Sequence, residues 1–145
     1  MTGIVYRVLS EEFVRERLQD LILISRDIPH ENWEEQQYLI SLPGKWRLSR
    51  VCFSEETLLG YIIASEKEPG RVHIHKFVVN PSFRGKGTGR QMLTDFINSL
   101  GEEFFRVTLK VYNDNQPAVR FYISQGFVIS GESEGLLQME MKVNR

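Results

Sequence analysis

Sulfur chemistry is nearly missing from this chain: Cys52 is the one cysteine in 145 residues. A lone thiol closes no intrachain disulfide, and no cluster of histidines and acids stands beside it in a zinc pattern, so no metal is expected. The reading that follows is a protein of a reducing, cytoplasmic compartment. Long apolar runs are missing too. Leu21–Ile24 is an uninterrupted apolar stretch of only four residues, far from the roughly 20 that cross a bilayer. The opening Met1–Val8 has no apolar centre like that of a secretion signal, so no membrane partner is expected. Neither sign of charge dominates. With 18 Lys+Arg against 19 Asp+Glu the formal net charge is −1, and nothing in that balance calls for nucleic acid. No repeat or low-complexity tract occurs, and Gly and Pro fall as scattered punctuation rather than as a linker. One domain over residues 1–145 is the expectation. What is present suits it: 41% hydrophobic and 26% charged residues are ordinary for a globular domain able to bury a core.

Apolar spacing predicts the elements. Ile4–Val8 is a short β-prone opening. Ser10 caps a helix from about Glu11 to Ser25, with Val14, Leu18, Leu21 and Ile22 at helical spacing. Pro29 breaks it. A second, acidic helix is predicted over Asn32–Leu42, ended by Pro43-Gly44. Strands are then predicted at Trp46–Phe53, Thr57–Ser65 and Val72–Val79, joined by turns at Glu55-Glu56 and Glu68-Pro69-Gly70. A helix with Met92, Leu93, Phe96, Ile97 and Leu100 on one face follows a glycine-rich stretch. Phe104–Val111 is a strand, Pro117 opens another helix, and Gly126-Phe127 and Leu136–Val143 return to strand. The plan is α/β (α+β): a mixed, mostly antiparallel sheet of about seven strands with about four flanking helices. The strand–helix–strand crossover over residues 72–111 implies one parallel pair.

The strongest local signal is Arg84-Gly85-Lys86-Gly87-Thr88-Gly89-Arg90, between a strand and a helix. Alternating glycines let backbone N–H groups converge on one space. The next helix adds its free N–H groups and the positive end of its dipole. Arg84, Lys86 and Arg90 add cations, so the turn reads as a phosphate cradle rather than a merely flexible basic turn. Two nucleotide fingerprints fail. A P-loop needs Ser or Thr after Gly-Lys, where Gly87 stands, and the dinucleotide motif needs glycine where Arg90 stands.

What remains, Arg84-x-x-Gly87-x-Gly89, resembles the acetyl-CoA signature of the GNAT superfamily of N-acetyltransferases. Residues 75–83, His-Lys-Phe-Val-Val-Asn-Pro-Ser-Phe, are similar to that family's fourth strand and following turn. Asn115, Ala118, Tyr122 and Gly126-Phe127 are similar to its second motif, Asn-x-x-Ala-x-x-x-Tyr-x-x-x-Gly-Phe. The resemblance implies that the backbone of Phe77, Val78 and Val79 pairs with the pantetheine arm. It implies that an N–H near Phe77 polarises the thioester carbonyl, and that Arg84, Gly85, Lys86, Gly87, Thr88, Gly89 and Arg90 hold the pyrophosphate. Asn115 then contacts the cofactor arm and Tyr122 sits by the thioester sulfur. The implied activity is direct acetyl transfer from acetyl-CoA to a primary amine of a small molecule or peptide. The implied partner is the amine-bearing acceptor, with a homodimer as the assembly to consider. A non-catalytic acyl-CoA sensor or partner-binding module, and a nucleotide-binding regulator, are the competing classes.

The chemistry sets further expectations. Attack needs a neutral amine, and a lysine-type amine has a pKa near 10.4, so a base is useful. His73 and His75 are the candidates, two apart on a strand and facing one side with Phe77 if that strand is unbroken. Both also read as cross-strand packing, and a strand bulge changes which face each uses. Tyr122, one turn past Ala118, is the candidate proton donor to the leaving thiolate, or else a core aromatic with a satisfied hydroxyl. Glu31, Glu34 and Glu35 around Trp33 and Tyr38 read either as an acidic rim for a cationic acceptor or as a solvated helix face. Cys52 reads as strand packing.

Overall fold

The structure, a computed structural model, describes residues 3–143. Seven strands form one sheet: β1 (Ile4–Val8), β2 (Arg50–Ser54), β3 (Thr57–Glu68), β4 (Arg71–Val79), β5 (Arg106–Tyr112), β6 (Val128–Ser133) and β7 (Leu136–Lys142), in the order β1-β2-β3-β4-β5-β7-β6. All neighbours are antiparallel except β4 and β5. Five helices surround it: α1 (Glu11–Ile24), α2 (Glu35–Leu39), α3 (Lys45–Leu48), α4 (Thr88–Ser99) and α5 (Gln116–Ser124). A 3-10 turn covers Pro81–Phe83. The sheet therefore carries five α-helices among the described residues, one more than its sequence suggests. None is long and apolar enough to cross a membrane.

Two apolar layers sandwich the sheet. On one face Met92, Leu93 and Phe96 of α4 and Val119 and Tyr122 of α5 pack on Ile62, Val72, Ile74, Val107 and Leu109. On the other, Val14, Leu21 and Ile24 of α1 and Tyr38 of α2 pack on Tyr61, Ile63 and Val78. Helix starts follow their chemistry. The Ser10 hydroxyl accepts from the Phe13 N–H at 3.1 Å, and Asn115 caps α5, accepting from the Ala118 N–H at 3.3 Å.

Two expected elements are corrected. The acidic helix over Asn32–Leu42 shrinks to Glu35–Leu39. Glu34 and Gln37 form a reciprocal capping box that sets its start, and Ile40 is already extended at φ −57°, ψ 134°. The strand over Trp46–Phe53 divides into α3 and β2, because Gly44 at φ 70° starts a helical turn. Lys45 then folds inward to close α2, donating to the carbonyls of Tyr38 and Ile40 at 2.7 Å each. The alternation of Trp46 and Leu48 suits that turn as well as a strand, since the two serve opposite apolar layers.

A third departure shapes the site. Ile63 pairs with Lys76 but Ala64 pairs with Ile74, so His75 is an extra residue, a bulge on β4. Beyond it the faces exchange. Val72 and Ile74 share one layer with Phe77 and Val79, while Val78 joins the other. His73 and His75 do lie together, rings 5.0 Å apart, but Phe77 lies across the sheet from them.

Candidate active site

The cleft begins where pairing stops. Strands β4 and β5 are in register only from Arg71↔Arg106 to Ile74↔Leu109, yet they run on to Val79 and Tyr112. Right at that limit sits the His75 bulge. The strands splay, leaving the β5-facing backbone of Lys76–Val79 with no strand beside it among the described residues. The resulting cleft has a volume of about 640 Å³, within the size range of small-molecule sites. One wall is β4 (His75, Lys76, Phe77, Val79), the other is β5 (Leu109, Lys110, Val111). Its floor is Ala118, Phe121 and Tyr122 of α5.

Gly85, Gly87, Gly89 and Arg90 close one end. Gly85 and Gly87 stand at φ 76° and 82°, a region glycine occupies without strain. Gly87 is the N-cap of α4 and supplies no side-chain cap. The first N–H groups of the 12-residue α4 therefore face the cleft end with no side-chain acceptor of their own, an arrangement suited to an anion. Arg84 is turned to another task. Its guanidinium donates to the Val79 carbonyl at 2.9 Å and pairs with Asp27, holding that carboxyl below the usual range. Lys86 lies over the Phe83 ring, 5.5 Å from its centroid. Of the residues expected at the cofactor, Phe77, Val79, Arg84, Gly85, Gly87, Gly89, Arg90, Asn115 and Tyr122 line the cleft. Val78 is buried in the α1 layer. Lys86 and Thr88 do not line the cleft.

Tyr122 is packed among Phe77, Phe121 and Phe127, ring centroids 5.4 to 6.1 Å away. Burial raises its phenol pKa, and the charge of Glu31 adds to the rise. No hydrogen bond joins its hydroxyl to another described residue, so it is available to a ligand in the cleft.

Both histidines are held neutral near pH 7. Burial, then the charge of His75 and those of Lys67, Arg71 and Lys110, lowers His73 to about 3. Burial, then Lys67 and Lys45, lowers His75 to about 4. His75 Nε2 is 2.6 Å from the Ser65 hydroxyl, and His73 Nδ1 is 2.8 Å from that of Thr108. Only His75 lines the cleft. Cys52 is buried in strand β2, its thiol pushed up to about 11 by that burial, as strand packing requires.

Of the cleft's roof the sequence showed only Glu31, open between an acidic rim and a solvated helix face. Residues Asp27–Glu31, between α1 and α2, cross it as a strap, with Asp27, Ile28, Pro29 and Glu31 facing in. Asp27 is tied to Arg84. His30 is 3.1 Å from Asp114 and stacked on Tyr112 at 4.2 Å. Glu31 is tied to Lys76, whose Nζ donates to its carbonyl at 2.7 Å. Glu34 and Glu35 are exposed and do not line the cleft.

Comparison with known proteins decides the family. A profile of the acetyltransferase (GNAT) family matches residues 8–127. The chain belongs to that family. Spermine/spermidine N(1)-acetyltransferase of Bacillus subtilis (strain 168) is 33% identical over 69 residues, 46% of this chain and 45% of that protein. The match thus spans about half the length of this curated relative. In three dimensions, Ard1 from Thermoplasma volcanium matches with a TM-score of 0.84, 22% identity and coverage of 99% and 100% of the two chains. PaiA N-acetyltransferase from Thermoplasma acidophilum, solved with coenzyme A, matches at 0.77, with 18% identity and 97% and 99% coverage. These likenesses establish the GNAT-like mixed sheet.

Proposed function

We propose that this protein is an N-acetyltransferase that moves an acetyl group from acetyl-CoA directly to a primary amine of a small molecule or peptide. The observation that carries the reading is the splayed β4–β5 cleft, with an uncapped helix N-terminus at one end and the Tyr122 hydroxyl in its floor. The residues fit the donor. An extended pantetheine arm suits the Phe77–Val79 edge as an added strand, with the Val79 carbonyl already taken by Arg84, and the N–H groups from Gly85 to Arg90 suit a pyrophosphate. Asn115 lines the same groove, although its side-chain oxygen already caps α5.

Acetyl-CoA supplies an activated thioester. An N–H near Phe77 stabilises negative charge on the carbonyl oxygen as the amine nitrogen bonds to the carbon. Tyr122 donates a hydrogen bond to the sulfur as the C–S bond breaks, a role its raised pKa makes stronger in positioning than in outright proton release. His75 reaches the cleft and His73 stands behind it. Conjugate acids near 4 and 3 hold a proton only briefly at pH 7, so a proton taken from the amine would pass on to solvent water, and the departing thiolate would take one up from the Tyr122 hydroxyl or from water. The acceptor enters beneath the strap, where Glu31 supplies negative charge to a cationic amine.

Thiol release from acetyl-CoA, followed with a panel of polyamines, amino sugars and peptides with free N-termini, tests the reading. Turnover with at least one amine and a fall in kcat for Tyr122→Phe are expected. Undiminished turnover in Tyr122→Phe would remove the donor role, and acetyl-CoA binding without turnover on any amine would favour a sensor.

A further inference from the structure

Lys76 has no side-chain exposure, and Glu31, 3.8 Å from its ammonium, has 28%. On the other side the ammonium faces the rings of Trp33 and Tyr38, at 4.9 and 6.0 Å. A buried cation is not the stable way to fill such a space. Removing charge from water costs several kcal/mol, and apolar replacements of buried ion pairs are often neutral or stabilising. Val78, on the same face of the same strand, shows that this layer accepts an apolar residue. The cation therefore calls for a reason other than packing.

Its contacts supply one. Among the described residues the strap has three side-chain fasteners, and two of them are solvated: Asp27–Arg84, at 50% and 38% side-chain exposure, and His30–Asp114, at 45% and 64%. Exposed pairs of that kind contribute about 0–1 kcal/mol. Lys76 is the buried fastener, and it grips Glu31, a strap residue that lines the cleft. We propose that Lys76 is a positioning residue for acetyl transfer, holding Glu31 against β4 so that the Glu31 carboxylate receives the ammonium of the acceptor. The inference rests on the acetyltransferase reading. It is supported by the electrostatics. Burial pushes the Glu31 carboxyl up and Lys76 opposes that shift. Lys76 itself, lowered to about 8 by burial, is still mostly charged at pH 7. The charge of Glu31 is also felt at Tyr122, and the two residues line the same cleft.

The experiment is a double-mutant cycle with Lys76→Met, Glu31→Gln and the pair, using spermine and, in parallel, a short peptide with a free N-terminus. Circular dichroism checks the fold, and calorimetry measures acetyl-CoA affinity. The expected result is a rise in KM for the amine of about tenfold or more in each single variant, the scale of a lost charged hydrogen bond. Acetyl-CoA affinity stays within about twofold, because the strap residue acts on the acceptor. The double variant is no worse than the poorer single one, because both changes remove one function. An unchanged KM in Lys76→Met, or effects that multiply, would overturn the coupling. Glu31 is a partly exposed loop residue, so Glu31→Gln tests the carboxylate even if Lys76→Met does not fold, and an unchanged KM there overturns the proposal. Failure of the wild type to bind acetyl-CoA or turn over any amine would instead remove the acetyltransferase reading, so the two failures are told apart.

Discussion

Tyr122 combines two properties that pull against each other. Its ring belongs to the apolar layer under β4 and β5, and its hydroxyl has no hydrogen-bond partner among the described residues. Tyr122→Phe keeps the ring packing with Phe77, Phe121 and Phe127, so stability changes little. The expected cost is in kcat, about 10- to 100-fold if the hydroxyl bonds a developing thiolate, since hydrogen bonds to charged groups are worth about 1.5–3 kcal/mol. Steady-state kinetics beside a thermal melt separates the two effects. The histidines make a prediction of opposite character, on stability. His73 and His75 have folded pKa values of about 3 and 4 against about 6.5 unfolded. The unfolded chain therefore takes up protons first as pH falls. Stability is expected to decline from about pH 6.5 downward until both folded-state values are passed. Melts of the wild type and of His75→Asn between pH 7 and 5 check it, and the variant should lose part of that slope.

Element by element, strand β4 lines more of the cleft than any other strand or helix. Its Gly60 neighbour on β3 explains how closely α4 approaches: a Cβ there would stand 2.3 Å from the Val78 carbonyl oxygen and 2.7 Å from the Met92 sulfur. Gly60→Ala should destabilise the fold by about 1–3 kcal/mol, the usual range for overpacking, with chemical denaturation as the measurement. The periodicity of β4 was visible in the sequence, and so were its start and end to within a residue. The bulge was not. A strand's residues alternate unless the partner's register forces an extra one, and that register belongs to the β3–β4 pair rather than to β4. Lys76 consequently read as part of a motif string rather than as a buried cation facing α2. The extent of α2 was overstated and the short helix α3 was missed for a related reason. At five and four residues, neither has enough turns to show a helical period. Each is held by something outside its pattern, a capping box in one case and the Lys45 side chain in the other.

On the scale of the whole molecule, the cleft is assembled from parts far apart in sequence. Arg84 reaches Asp27 across 57 residues, Lys76 reaches Glu31 across 45, and His30 reaches Asp114 across 84. A ligand that spans these parts should stabilise all of them together. Acetyl-CoA at about 100 times its dissociation constant should add about 2.7 kcal/mol to the unfolding free energy, read as a rise in Tm. ATP, which offers phosphates but no pantetheine arm, should add much less. The sequence by itself determined the order of the elements apart from α3, the mixed sheet with one parallel crossover, and the glycine-rich basic turn beside the paired motifs. Those features are written in local periodicity and in residues close together along the chain. Tertiary structure alone decided which face Lys76 occupies, that Arg84 braces a strap as well as bordering the cradle, and that residues 27–31 roof the cleft. Such outcomes depend on strand register and on contacts between distant segments, and neither leaves a pattern in any short stretch of sequence.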